Sequence, residues 1–174
     1  LKALASGRHD IGQCKRVEIT CVSELGWHDS NKLLKQLMAA PEKVKTNQWT
    51  VPWDPQNSAG SCTLIDVELL DGSRHKILLD TGWNKYYMDQ AFKREGVDEM
   101  LKKKEIEALI ISHEHLDHYW GLQTTLQYDP EIKLIVPSTF YPEGFYFAHG
   151  ATFMECNACN NIPHRGELVK TKPG

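Results

Sequence analysis

The amino-acid sequence predicts an α/β fold in which helices flank a mixed β-sheet. Three observations predict it. Apolar runs typical of strands alternate with helical patterns, an Asp-Gly pair separates two strand-like runs, and an apolar run that begins at Leu109 leads directly into a histidine-rich loop. The chain has 174 residues, 41% of them hydrophobic, which matches one domain with a packed core. We therefore expect a single α/β domain over residues 1–174.

The composition narrows the choice of binding partner. Twenty basic and twenty-three acidic residues give a formal charge of −3, which indicates neither nucleic-acid binding nor an acidic tail. No apolar run approaches the ~18 residues that cross a bilayer, and residues 1–12 lack the apolar core of a secretory signal. We expect a small-molecule substrate, with no nucleic acid and no membrane.

The five cysteines are an odd number and do not suggest a disulfide framework, so we expect a reducing, cytoplasmic location. Cys156 and Cys159 form a C-x-x-C pair. Such a pair can bind zinc, hold part of an iron–sulfur cluster or exchange electrons, and the alternative is two incidental thiols in a loop.

The N-terminal third predicts a strand, a helix and a long loop. Residues 16–22 alternate and are rich in β-branched side chains, which predicts a first strand in the same sheet as the histidine-rich loop. Ser30 can cap a helix whose apolar stripe should pack on the sheet; the stripe consists of Leu33, Leu34, Leu37 and Met38. Residues 42–60 lose this periodicity and predict a long ordered loop.

The tryptophans of this region allow two interpretations. Trp27, Trp49 and Trp53 could form an aromatic wall over a pocket, or they could anchor the loop to the domain. The sequence favours anchoring slightly.

The middle of the chain predicts a β-hairpin followed by two helices. Residues 61–70 and 75–79 are strand-like and flank an Asp-Gly turn. Helices are expected over 84–94 and 97–104, separated at Gly96.

The second half predicts a buried strand over 107–111, a helix over 117–127 and a strand over 132–136. The loop between the first strand and the helix contains three histidines and one aspartate within six residues, namely His113, His115, Asp117 and His118. Imidazole and carboxylate groups bind zinc, iron and manganese. Alternation in an extended loop would point His113 and His115 to one side. A merely solvated loop is the alternative.

This His-x-His-x-Asp-His pattern after a buried strand resembles the metallo-β-lactamase superfamily. Asp80-Thr81-Gly82, which follows a strand, and Gly121-Leu122, which enters a helix, add to the resemblance over residues 60–137. A weaker similarity is to the group that includes dihydropterin synthase-like proteins. The resemblance implies the N-terminal portion of an αββα sandwich.

The resemblance also implies a site with two metal ions, most simply zinc, with iron or manganese as alternatives. His113 and His115 would hold one ion, and Asp117 and His118 the other. Asp80 would accept hydrogen bonds that fix the loop without binding metal. A metal-bound hydroxide would attack an ester, amide or phosphoester, and Asp117 would orient the hydroxide or accept its proton.

The chain departs from the superfamily pattern in its length. Superfamily members have two similar αβ halves and take further His and Asp ligands from beyond the first motif. The only later histidines are His149 and His164, and neither lies in the expected context, so we expect both on loop surfaces. The resemblance therefore implies a domain incomplete at its C-terminus, whose open sheet face is covered by the missing half, in the same or a separate chain, or by a second copy.

Other functions stay open at this point. The same ligands could hold iron for redox chemistry, or the Cys156 and Cys159 pair could serve electron transfer. A pterin-pathway synthase, or a degenerate module that binds metal or a partner without catalysis, is also compatible with the sequence.

Overall fold

The computed structural model describes residues 12–24, 26, 29–39, 48–51, 53–57 and 60–172. These residues form one six-stranded sheet in which the strands follow the order of the chain. The strands are β1 (Cys14–Ser23), β2 (Cys62–Leu69), β3 (Arg74–Leu79), β4 (Ile106–Ile110), β5 (Lys133–Pro137) and β6 (Leu168–Thr171). The first three pair antiparallel, and β3 to β6 pair parallel. The predicted mixed sheet with flanking helices is confirmed.

The N-terminal half of the sheet is a meander. β2 and β3 join through a turn at Asp71 and Gly72, with Gly72 at φ 86° and the Leu69 amide 2.9 Å from the Ser73 carbonyl. β1 lies beside β2, with Ile19 opposite Ile65. The predicted hairpin and first strand are therefore confirmed.

Two helices follow β3, namely α2 (Lys85–Glu95) and α3 (Val97–Lys102). The Asn84 side chain caps α2 by accepting a hydrogen bond from the Tyr87 amide at 3.1 Å. Gly96 ends α2 in the left-handed conformation, at φ 71°, and its amide donates to the last carbonyls of the helix. Both predicted helices and the stop at Gly96 are confirmed.

One face of the sheet carries the core. Leu78, Leu109 and Leu134 lie on three adjacent strands and are fully buried. They belong to one cluster with side chains of α2, α3 and the later helical segments 122–126 and 142–148, including Met88, Phe92, Leu101, Leu122, Leu126 and Phe147. Full burial of each such side chain contributes about 1.5–3 kcal/mol. This packing fixes the positions of the strand ends at which the candidate site lies.

The opposite face of the sheet is also apolar, and the described residues leave it partly exposed. Cross-strand pairing places Ile19, Ile65 and Ile77 in one row, and Leu79, Ile110, Ile135 and Val169 in the next. Ile19 is 69% exposed and Val17 is 48% exposed. We call this surface the open face.

The helix near the N-terminus corrects one prediction. α1 (Ser30–Ala39) forms, but Leu34 is 53% exposed and Met38 79% exposed, so the predicted packing of the whole apolar stripe on the sheet is wrong. Leu33 alone is seen to pack against the core, and the Leu37 side chain lies outside the described residues. The helix is oriented by Asp29 at its start, whose backbone amide and carbonyl bond the Asn57 side chain at 2.8 and 2.9 Å.

Asp29, and not Ser30, caps this helix, because its carboxylate accepts hydrogen bonds from the amides of Asn31 and Lys32 at 3.0 Å.

The single helix predicted over 117–127 is wrong. Two short helices occupy this range, α4 (Leu116–Tyr119) and α5 (Leu122–Leu126). The helix is interrupted at Gly121, whose amide donates to the Gly82 carbonyl at 2.8 Å. A Cβ atom at position 121 would lie 2.2 Å from the Thr81 carbonyl oxygen. Close contact between these two backbone segments explains the break.

One α-helix and one strand were not predicted, α6 (Pro142–Ala148) and β6, nor were three short 3-10 helices at Gln48–Thr50, Pro55–Asn57 and Met154–Cys156. α6 begins with proline at its first turn, a position where the missing amide costs nothing. β6 has only four residues, so it gives little periodic signal. Among the described helices, none is both long enough and apolar enough to span a membrane.

Candidate functional site

The candidate site lies at the C-terminal ends of the parallel strands β3 and β4. Leu79 pairs with Ile110, so Asp80 and the loop that follows Ile111 leave the sheet side by side. Ligand sites of α/β sheets commonly lie at this edge, because the loops that leave the strands gather there.

Asp80 is held in an unusual backbone conformation. Its φ is 61°, in the left-handed region, which aspartate tolerates better than most residues. The residue is 3% exposed, and its amide donates to the Ile110 carbonyl at 2.8 Å. The turn thereby directs the carboxylate towards the end of β4.

The Asp80 carboxylate accepts three hydrogen bonds. The Ser112 amide donates to one oxygen at 2.7 Å, while the Ser112 hydroxyl and His118 Nδ1 lie 2.8 and 2.7 Å from the other. The hydrogen bond with Asp80 raises the pKa of His118, against the opposing effect of burial. With Nδ1 engaged, Nε2 is the nitrogen that His118 can offer to a ligand.

The three histidine rings cluster around His113. Its ring centre lies 4.6 Å from that of His115 and 4.1 Å from that of His118. His113 Nδ1 is 2.9 Å from the Ser112 hydroxyl. Burial lowers the pKa of His113, which favours the neutral imidazole that binds metals.

Asp117 lies beside this cluster at the start of α4. The residue is 8% exposed, and its Oδ1 atom is 4.0 Å from His118 Nε2. Two donors of one tetrahedral zinc ion, each ~2.05 Å from the metal, lie about 3.4 Å apart. The two side chains are therefore close to the separation that a shared ion requires.

The donor chemistry of His113, His115, Asp117 and His118 fits zinc, iron or manganese. Their side chains lie close together but do not converge. Within the described ranges, no group of three or more His, Cys, Asp or Glu side chains is arranged to hold a metal ion. The ligand roles stay predictions, and binding would require side-chain rotation.

Glu114 points away from the histidines. Its Oε1 atom accepts a hydrogen bond from the Tyr141 amide at 2.8 Å, at the start of α6. The Oε2 atom of Glu114 packs against Gly144: a Cβ atom at position 144 would lie only 2.6 Å from it. Burial raises the pKa of the Glu114 carboxyl. Alternation along the loop thus separates His113 and His115 on one side from Glu114 on the other.

Backbone contacts fix the loop from a third direction. The Ser61 amide donates to the Asp117 carbonyl at 2.8 Å, and the Thr81 amide donates to the His118 carbonyl at 2.8 Å. At Gly60 a Cβ atom would lie 2.3 Å from the Asp117 carbonyl oxygen. The sequence reasoning missed Gly60 and Ser112, although each directly adjoins a predicted strand or motif.

The tryptophans anchor the preceding loop. Trp49 is 3% exposed and Trp53 6% exposed. The Trp49 ring lies 4.9 Å from that of Trp120 and 5.5 Å from that of Phe147. The anchoring interpretation is confirmed for Trp49 and Trp53, and Trp27 lies outside the described residues.

The C-x-x-C pair is divided between core and surface. Cys156 is buried, its thiol donates to the Phe153 carbonyl at 3.4 Å, and burial raises its pKa to about 11. Cys159 is exposed. A buried thiol that stays protonated at neutral pH packs as a small apolar group, which does not favour a metal or redox role.

The two later histidines lie in different environments. His149 is exposed at the end of α6. His164 is 5% exposed, with Nε2 2.6 Å from the Ile132 carbonyl oxygen before β5, so the expected loop-surface position is wrong for His164. That hydrogen bond ties His164 to the end of the sheet opposite the histidine cluster.

A cleft of about 580 Å³ opens on the helical side of the sheet. Its lining includes Trp83, Trp120, Gln123, Gln127 and Cys159. None of the four predicted metal ligands lines it, so the cleft and the histidine cluster are separate features.

A sequence model of the metallo-beta-lactamase superfamily matches residues 56–152, more than half of the chain. The chain belongs to the metallo-β-lactamase superfamily. The matched range contains the hairpin, Asp80 and the whole histidine-rich loop. A search of curated proteins found no match.

Several solved structures are similar to this chain. A quorum-quenching N-acyl homoserine lactone lactonase is 17% identical, with 91% of this chain and 58% of that one covered and a TM-score of 0.43. The MIM-2 metallo-beta-lactamase is 20% identical, with 64% and 39% covered and a TM-score of 0.42. A Cronobacter sakazakii metallo-beta-lactamase is 16% identical, with 64% and 40% covered and a TM-score of 0.38. The chain thus spans about two to three fifths of their lengths.

Proposed function

We propose that this superfamily member is a zinc-dependent hydrolase of an ester, amide or phosphoester. The observation that carries the proposal is the hydrogen-bond network of Asp80, Ser112 and His118, which holds the superfamily motif at the end of β4. A buried carboxylate that orients an imidazole is the usual support of a metal-binding histidine.

His113 and His115 would hold one ion, and Asp117 and His118 a second, with the remaining ligands supplied from outside this set. Bound zinc would lower the pKa of a coordinated water to about 7 and polarise the attacked carbonyl or phosphoryl group. Iron or manganese would use the same donors.

The side chains of the site would have distinct roles in this reaction. Asp80 would keep the proton of His118 on Nδ1, so that Nε2 stays available. Asp117, which is only 8% exposed, would orient the attacking water and accept its proton. Neither role needs a serine or cysteine nucleophile.

The test is hydrolysis by the metal-loaded protein, measured on a panel of ester, amide and phosphoester substrates. His115→Ala should remove at least 99% of the activity, because an oriented ligand would be lost. His75→Ala is the matched control, since His75 lies at the far end of β3 and pairs with Glu107. Equal activity of the wild-type protein and His115→Ala would overturn the proposal.

We also propose that a second β-sheet covers the open face, as the superfamily sandwich implies. The support is the row of Ile19, Ile65 and Ile77, which is apolar and partly exposed. Without that cover, these 174 residues should self-associate at micromolar concentration in sedimentation velocity, and Ile19→Glu should reduce the association. A well-folded wild-type monomer at that concentration would contradict this.

The five unpaired cysteines support our proposal of a cytoplasmic location.

A further inference from the structure

Gln48 contacts the histidine-rich loop from a distant part of the sequence. Its side-chain Nε2 donates to the Glu114 carbonyl, and its Oε1 accepts a hydrogen bond from the Leu116 amide at 2.7 Å. A primary amide carries both a donor and an acceptor, so it can pair with two backbone groups as a neighbouring strand would. The two groups that it bonds lie immediately before and immediately after His115.

The hydrogen bond with Leu116 satisfies the first backbone amide of α4. His115 is the N-cap residue of α4, yet its side chain makes no capping hydrogen bond. The first amides of a helix have no partner within the helix and are commonly satisfied by the side chain of the cap residue. Gln48 therefore holds the backbone directly after His115, and the His115 ring makes no capping hydrogen bond.

Gln48 is itself held firmly. The Trp53 indole nitrogen donates to the Gln48 carbonyl at 2.9 Å, and the Val51 amide donates to the same oxygen at 3.3 Å. The next residue, Trp49, is 3% exposed and packs on Trp120. The side-chain amide therefore starts from an anchored backbone and loses little entropy when it binds the loop.

We propose that Gln48 is a positioning residue for His115. By bonding both flanking peptide groups, its amide fixes the His115 backbone so that the ring stays beside His113, 4.6 Å away between ring centres. The inference rests on the proposed function, in which His115 binds a metal ion. The amide contact itself exists without that assumption.

The experiment replaces Gln48 with methionine, which keeps the length and most of the volume but cannot form either hydrogen bond. Gln56→Ala is the control, because Gln56 is an exposed glutamine of the same segment and lies outside the loop contact. The first measurement is amide hydrogen exchange of Leu116 in the metal-free protein. Gln48→Met should accelerate it about tenfold, the change that the loss of about 1.4 kcal/mol of local protection produces, and Gln56→Ala should not.

The second measurement is a titration with Co²⁺ followed by its visible absorption. Gln48→Met should raise the dissociation constant roughly 10- to 100-fold, as is typical when the support of a metal ligand is removed. Gln48→Glu keeps the acceptor for Leu116 but not the donor to Glu114, so Leu116 should remain protected in that variant. It also provides a second test if the methionine variant does not fold.

The outcomes separate the two proposals. If the wild-type protein and Gln48→Met bind Co²⁺ equally, positioning by Gln48 is overturned while the metal site stands. If the wild-type protein binds no Co²⁺, the proposed function fails, and positioning of His115 for a metal ion fails with it. Unchanged exchange at Leu116 in Gln48→Met would show that the amide contact does not hold the loop.

Discussion

Replacing Asp80 with asparagine tests how much the hydrogen-bond network stabilises the site. Asparagine has nearly the same shape and also tolerates the positive φ of 61° found here. Its oxygen can still accept from the Ser112 amide, but its NH₂ group then faces His118 Nδ1, which lies 2.7 Å from the carboxylate. The change therefore removes the charge-assisted hydrogen bond with His118, while the Ser112 hydroxyl, 2.8 Å from the same oxygen, can rotate to accept from the new NH₂ group.

Loss of such a bond costs about 1.5–3 kcal/mol. The free energy of unfolding of the metal-free protein should fall by that amount, measured by urea unfolding followed by circular dichroism. His118 can relieve the clash by moving its proton to Nε2, which removes that nitrogen as a ligand. Zinc affinity should therefore fall about 10- to 100-fold as well.

Asp71→Asn is a close control. Asp71 also accepts hydrogen bonds from the amide and hydroxyl of a serine, Ser73, at 2.9 and 2.7 Å, but it is exposed in the hairpin turn and contacts no histidine ring through hydrogen bonds. Its replacement should change the free energy of unfolding by less than about 0.5 kcal/mol. An Asp80→Asn variant as stable as Asp71→Asn would refute the reasoning.

Three further predictions concern the fold around the site. Burial acts to raise the pKa of Asp89, but hydrogen bonds, led by those of Lys93 and Tyr128, lower it on balance. Asp89→Asn should therefore lower the free energy of unfolding by its full amount above the unfolded-state pKa of about 3.9, and the difference from the wild-type protein should vanish at lower pH. Urea unfolding of both proteins at several pH values measures this difference. Gly121→Ala should destabilise by about 2–3 kcal/mol because the new methyl group meets a carbonyl oxygen at 2.2 Å, whereas Gly26→Ala, with nothing within 4 Å among the described residues, should not change the thermal midpoint. Iodoacetamide at pH 8 should label the exposed Cys159 and leave the buried Cys156, with its pKa of about 11, unlabelled in peptide mass mapping; equal labelling would contradict its burial.

Much of the fold was predictable because local signals and tertiary packing agree. The Asp-Gly turn and the alternating runs on either side of it gave β2 and β3, and Asn84 and Gly96 gave both ends of α2. These elements depend on turn chemistry and caps, which can be read from neighbouring residues.

The errors lie where distant segments meet. The break in the helix at Gly121 follows from contact with Thr81 and Gly82, which no local pattern encodes. Leu34 and Met38 are exposed on a helix whose start is bonded to Asn57 through Asp29, a contact between segments 28 residues apart.

In the candidate site, too, the local pattern was predictable from the sequence and the long-range contacts were not. The type and spacing of the four predicted ligands were visible in residues 113–118, and Asp80 was expected beside them. Ser112 and Gln48 were not expected, because serine and glutamine are common residues whose partners here depend on the tertiary fold. Long-range hydrogen bonds of this kind require the folded structure to be recognised.

The most direct test of the account is the metal content of the purified protein, measured by inductively coupled plasma mass spectrometry after dialysis against metal-free buffer. We predict at least one zinc, iron or manganese ion per chain in the wild-type protein, and a loss of most of it in His115→Ala but not in His75→Ala. Less than one ion per chain in the wild-type protein after loading with zinc, or an unchanged content in His115→Ala, would contradict the assignment of residues 113–118 as a metal-binding loop.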